Sequence, residues 1–213
     1  MSKSFRLFKK SMFIVVLSVF FCSPSVFAYV YYYDQFWIPL HLEGGISSGH
    51  YYNGTSDTTY NGKRYDIHKA FDGAFSLWKN ATDMDLSLGS NISGAKISAF
   101  QAEYLDDAFL YGWTHFYKDG SLLNERYGQG SGPSENWDKA YVFLNLYAID
   151  DYGMDWVEYR AVAAHEIGHA LGLQHNSEES IMNNSFINDV PVIFTNGWTY
   201  PQQDDIDGVN NLY

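Results

Sequence analysis

Cysteine is almost absent from this chain: the single one, Cys22, lies close to the start. A disulfide framework is therefore excluded, as is thiol catalysis from the body of the sequence. Basic residues are also scarce, with 13 Lys and Arg against 25 Asp and Glu and a formal net charge of −12. Such a chain repels polyanions, which excludes nucleic acid and anionic membrane surfaces as partners. Long apolar runs are lacking too. The stretch at 12–21 is about half of the roughly 20 residues that span a bilayer. No internal repeat or long low-complexity tract divides the 213 residues, so one domain is expected around one core.

What stands at the start is an export pattern. Lys3, Arg6, Lys9 and Lys10 precede the apolar stretch, and Val26-Phe27-Ala28 ends it with a cleavage-type sequence. Residues 1–28 thus read as a signal peptide and 29–213 as the mature domain, beginning at Tyr29, secreted and without stable membrane association after cleavage. Lipoprotein processing at Cys22 is disfavoured by the bulky Phe20 and Phe21 before it. Cleavage removes four of the 13 basic residues and none of the 25 acidic ones, leaving the mature chain four charges more negative than −12. With no thiol left, stability outside the cell must come from packing and metals. The acidity suits calcium or basic substrates, and equally a solvated surface that aids solubility.

Alternation at 37–43 predicts a first strand. Asp66 is placed to cap a helix through Ile67, Ala70, Phe71, Ala74, Phe75 and Trp78, whose spacing forms one apolar stripe for the core. Further strands are expected at 97–104, 111–117 and 140–147, with a long loop at 118–139. Asp155 and Glu158 form a capping-box pair for a second helix to about Leu171, and Gly172 can end it at positive φ. Residues 204–213 read as a short third helix with acids near its positive end.

That second helix carries His165-Glu166-Ile167-Gly168-His169. Imidazoles four apart lie one above the other and can share one ion. Glu166 projects about 100° away from His165, where it can reach a metal-bound water as general base without becoming a ligand. A turn at Gly172 then lets His175 supply a third imidazole. Three neutral imidazoles favour zinc and leave a fourth position open. Singly, each histidine reads as an ordinary surface or capping side chain. Jointly they do not: the short pattern arises by chance in roughly one such chain in a hundred, the form extended to His175 in roughly one in tens of thousands.

The run from His165 to His175 resembles the signature of the metzincin clan, and more narrowly of the matrixin family, which includes the matrix metalloproteinases and related bacterial enzymes. Ser180-Ile181-Met182 resembles the family's Met-turn, which implies that Met182 lies beneath the metal. The stretch 204–213 resembles its last helix, and Ala70-Phe71 with Phe75 and Trp78 its first, so the resemblance covers most of 66–213. Two departures stand out. Animal members carry a propeptide cysteine that blocks the zinc, whereas 29–213 contain none, and latency by a cysteine from that stretch is excluded. After Met182 the chain reads Asn183-Asn184-Ser185, where animal members often carry Pro-x-Tyr in the wall of a specificity pocket. The resemblance identifies the chain as a secreted member of bacterial type.

What it implies is an α+β zincin-like (metzincin-like) catalytic domain: a twisted, mixed, largely parallel sheet packed on two long helices, with a small C-terminal subdomain after Gly172. The implied activity is a zinc metalloendopeptidase, hydrolysing peptide or protein substrates by a zinc-bound water that Glu166 activates. Residues 112–115 are the candidate edge strand for pairing an extended peptide. Animal matrixins hold a second, structural zinc that begins with a His-x-Asp segment. None of His41, His50, His68 and His115 is followed two residues on by Asp. One catalytic zinc (Zn2+) is therefore expected, any further metal being calcium (Ca2+) in acidic loops, on a monomer. Two other readings stay open, a secreted zinc-binding or adhesion protein without turnover and a zinc amidase acting on cell-wall peptides.

Overall fold

The structure is a computed structural model, described at residues 29–33, 39–105, 107–123, 132–187 and 190–213. The signal-peptide reading at 1–28 lies outside these residues. The elements in chain order are β1 (Val30–Tyr31), β2 (His50–Asn53), β3 (Thr58–Tyr60), β4 (Lys63–Tyr65), α1 (Ile67–Ala81), β5 (Ser87–Leu88), β6 (Ile97–Ala102), β7 (Gly112–Lys118) and β8 (Ser121–Leu122). They are followed by β9 (Lys139–Asn145), α2 (Leu146–Tyr152), α3 (Trp156–Ala170), β10 (Leu173–Gln174), β11 (Phe186–Ile187), β12 (Val190–Pro191), α4 (Val192–Thr195) and α5 (Gln203–Leu212).

The main sheet has the order β5-β2-β6-β9-β7-β8. Strands β5, β2, β6 and β9 run parallel, while β7 is antiparallel to β9 and β8 antiparallel to β7. The expected mixed, largely parallel sheet on two long helices is present. Ala140, Val142 and Leu144 of β9 are buried and alternate with the half-buried Lys139, Tyr141 and Phe143, as a strand with one face on a helical layer requires.

Helix α1 buries the whole expected stripe, Ile67, Ala70, Phe71, Ala74, Phe75 and Trp78. Burying each of the three large aromatics contributes about 1.5–3 kcal/mol. Asp66, however, makes no side-chain cap. Its Oδ1 instead accepts from the Nε of Arg64 at 3.0 Å.

Helix α3 behaves differently. Its capping box is complete, with Asp155 accepting from the amides of Val157 and Glu158 at 2.8 and 3.0 Å, and Glu158 accepting from the Asp155 amide at 2.9 Å. Such a cap is worth about 1 kcal/mol. From Ala161 onward every residue of α3 is buried, because it packs on α1, β7 and β9 together. Four alanines and Gly168 make that enclosure possible by keeping neighbours close. Two buried indoles fasten it, Trp78 Nε1 to the Ala164 carbonyl at 2.8 Å and Trp137 Nε1 to the Ala170 carbonyl at 3.2 Å.

The strand expected at 37–43 is not formed in its described part. Leu40 and Leu42 are buried, so the alternation reports burial, but Pro39 and Leu42 make only isolated bridges. The first strand of the main sheet is instead β2, in what reads from sequence as loop. The expected loop at 118–139 includes β8, the end of β7 and the start of β9. Strands β6 and β9 stop two residues early, β9 because Leu146 opens α2.

Candidate active site

Gly172 takes φ +104° directly after α3, a value that L side chains rarely adopt. The turn sends the chain back through β10 to His175. The three histidines of the sequence pattern are thereby brought together: His175 Nε2 lies 3.0 Å from Nε2 of both His165 and His169, and no other such group of three occurs among the described residues. The structure leaves His50 in β2, His68 in α1 and His115 in β7.

The opposite ring nitrogens orient the three donors. His165 Nδ1 lies 2.7 Å from the Ile181 carbonyl, and His169 Nδ1 lies 2.8 Å from the Leu173 carbonyl. Carbonyls accept only, so both Nδ1 atoms carry hydrogen and both Nε2 atoms present lone pairs to the centre. His175 Nδ1 faces the Asn184 amide at 3.1 Å. The contact is through the Asn184 Nδ2, so the Nδ1 atoms of His165 and His169 have carbonyl partners and that of His175 has an amide nitrogen. Three converging imidazoles, two of them braced by carbonyls at Nδ1, fit zinc.

Burial, followed by mutual repulsion where it acts, holds all three rings below the ordinary histidine range: His165 at about 4, His175 at about 3 and His169 well below 6.5. Glu166 is 5% exposed, and burial raises its carboxyl to about 8, opposed by a hydrogen bond from Thr114. The Thr114 hydroxyl lies 2.9 Å from both Oε2 and the backbone carbonyl of Glu166. Gly112 permits this approach of β7 to α3, since a Cβ there would stand 2.8 Å from Glu166 Cγ.

Met182 is fully buried, and its Sδ would be 2.4 Å from a Cβ placed on Gly168, which puts the methionine against α3 between His165 and His169. The loop that carries it is held from α5. Asp205, fully buried, accepts from the Ser180 hydroxyl, from the Ile181 amide at 2.9 Å and from the Gln202 amide at 2.8 Å. Ile181 is the residue whose carbonyl orients His165, so α5 reaches that histidine through one loop. Thr114, Asn184 and Asp205 do not stand out in the sequence as site residues. For Asp205 the available signal is the acidic pair in the first turn of α5, which reads more simply as helix-dipole complementarity.

Without metal these groups titrate with the fold. The unfolded chain binds protons on its histidines below pH 6.5 while the buried rings refuse them, so stability falls on acidification toward about pH 4. Glu166 has the opposite sign: between 4.5 and about 8 the fold keeps a proton that the unfolded chain releases, so stability falls as pH rises. Asp205, also raised by burial, works in the same sense as Glu166. Three imidazoles outweigh the carboxyls below pH 6.5, and Glu166 acts above it. Urea unfolding in chelator should therefore show greatest stability near pH 6.5; a steady rise from there to pH 8 would contradict the assignment.

The site opens on a cleft lined by Tyr111, Gly112 and Trp113 from the β7 side and by Pro191, Ile193 and Phe194 from the C-terminal subdomain. Along β7, the short β8 pairs only with Tyr117 and Lys118.

A profile of the matrixin family matches residues 51–213. The chain is 26% identical to interstitial collagenase of Sus scrofa over 159 residues, which is 70% of this chain and 29% of the collagenase. It is 28% identical to neutrophil collagenase of Homo sapiens over 153 residues, with the same two shares, and 29% identical to matrix metalloproteinase-27 of Tupaia belangeri over 163 residues, 27% of that protein. The chain thus spans less than a third of the length of these curated relatives.

Proposed function

Because the chain belongs to the matrixin family, we propose that it is a secreted zinc endopeptidase in which His165, His169 and His175 hold the metal and Glu166 is the catalytic base. The observation that carries this reading is the convergence of three Nε2 atoms beside a buried carboxylate on the same helix. Zinc, when bound, polarises the scissile carbonyl and acidifies water. Glu166 takes the proton of the attacking water and delivers it to the leaving nitrogen, which completes hydrolysis without a covalent enzyme intermediate. Its burial suits that task, because a carboxyl raised toward neutrality can hold the proton between the two steps. Thr114 keeps the carboxylate aimed, and the backbone at 112–115 offers an extended peptide a strand to pair with.

Secretion of a mature form beginning at Tyr29, release from the membrane and a monomeric state belong to the same reading. No helix among the described residues is long and apolar enough to cross a membrane. Casein digestion with and without chelator is the test, run beside purified peptidoglycan. Casein cleavage that chelation abolishes and added zinc restores is expected, with close to one equivalent of zinc by elemental analysis. Chelator-insensitive cleavage, or release of cell-wall peptides alone, would overturn the reading. Any calcium held by the acidic loops registers in the same elemental analysis.

A further inference from the structure

The first described residues do not trail from the domain. Strand β1 pairs antiparallel with β10, Val30 opposite Gln174 and Tyr31 opposite Leu173, and among the described residues those two are the only strands of their sheet. Strand β10 occupies the interval between Gly172 and His175, so the N-terminal segment is the sole strand partner, among the described residues, of the turn that delivers the third histidine. The pairing continues in the Tyr32 amide, which donates to the Gly172 carbonyl at 3.4 Å. Tyr31 ties the segment to α5 by donating its hydroxyl to the Gly208 carbonyl at 2.8 Å.

Tyr32 then turns inward. It is 8% exposed and packs edge-on against Phe116 and Trp137, with ring centroids at 5.4 and 6.4 Å. Its phenolic oxygen comes within 3.0 Å of His169 Nδ1. That nitrogen must carry hydrogen if Nε2 is to face the centre with a lone pair, and the Leu173 carbonyl at 2.8 Å already accepts it. The phenol is thus a second acceptor for one N–H, and the two together fix the ring plane more narrowly than either alone. Outer partners of this kind raise the basicity of a ligating imidazole and restrict its rotation, and losing one typically lowers metal affinity 10–100-fold.

From this geometry we infer that Tyr32 is a positioning residue for His169, and that the N-terminal strap at 29–33 is a working part of the metal centre. The inference rests on the zinc reading of the three histidines. It adds that a segment remote in sequence from the motif, Tyr32 lying 137 positions from His169, orients one ligand by its side chain and braces the turn to another by its backbone.

The experiment measures zinc by competition with a chromophoric chelator, and the visible spectrum of the cobalt-substituted protein, for wild type, Tyr32→Phe and Tyr31→Phe. Tyr32→Phe removes only the oxygen near His169; Tyr31→Phe removes an equivalent oxygen of the same strap that faces α5. Expected are a zinc dissociation constant raised about tenfold and displaced cobalt d–d bands for Tyr32→Phe, with Tyr31→Phe at wild-type values in both. Unchanged affinity and spectrum in Tyr32→Phe would overturn the inference while leaving the zinc site standing. Equal weakening by both variants would also overturn the role of Tyr32, assigning the effect to docking of the strap. Failure of wild type to bind zinc at all would overturn the zinc reading and this inference with it. Should Tyr32→Phe prove poorly folded, the wild-type chain shortened to begin at Tyr33 serves instead: undiminished zinc affinity there overturns the role of the strap, and affinity reduced at least tenfold supports it.

Discussion

Glu166→Gln is expected to lower kcat by about 10²–10⁴-fold, the usual contribution of a positioned general base, while zinc content stays at the wild-type level. The substitution keeps the shape of the side chain, which matters here because Gly112 and Thr114 of β7 stand directly against it and leave little room for change. It leaves the three imidazoles and the partners of their Nδ1 atoms untouched. What disappears is the capacity to take up a proton and return it. Peptide turnover and elemental analysis on the same preparation give both numbers. Proteolysis at the wild-type rate would refute the mechanism. Joint loss of activity and zinc would move Glu166 from base to structural support of the metal site.

His169→Ala has the largest expected effect on the folded state. Any zinc bound to the native form stabilises it by mass action, about 4 kcal/mol where free metal exceeds the dissociation constant a thousandfold, and a site reduced to two imidazoles forfeits most of that. A second cost is independent of metal. His169 is 6% exposed, and its removal leaves the Leu173 carbonyl and the Tyr32 hydroxyl facing a cavity, each unsatisfied polar group costing about 1–3 kcal/mol. Thermal unfolding with and without chelator separates the two parts. The variant should melt below even chelated wild type, and added zinc should not raise its midpoint. Retained zinc with an unshifted midpoint would remove His169 from the ligand set.

The elements legible in the sequence are those governed by near neighbours. A capping box reads three residues ahead, and Asp155 with Glu158 forms one. An apolar stripe recurs every three or four residues, and α1 buries all six of its members. Two of the readings that failed did so because local pattern does not specify which partner a residue meets. Asp66 gives its Oδ1 to Arg64, two residues away, and caps no helix amide. The alternation at 37–43 is satisfied by burying Leu40 and Leu42 without a ladder, since period two specifies which side faces inward and says nothing of whether the backbone finds a strand beside it.

The same division runs through the candidate site. Sequence alone determined its centre, because two imidazoles four residues apart, a carboxylate between them and a glycine able to reverse the chain before a third imidazole are properties of one helix and its end. Tertiary structure decided what surrounds that centre. Thr114 meets Glu166 across 52 positions, Asp205 meets Ile181 across 24 and Tyr32 meets His169 across 137. No periodicity connects residues so far apart. Their meeting depends on which strand the sheet places beside α3, on where α5 returns and on which turn the N-terminal strap pairs with. Those outcomes are set by the packing of the whole core, and only there does a buried hydroxyl or carboxylate acquire its partner.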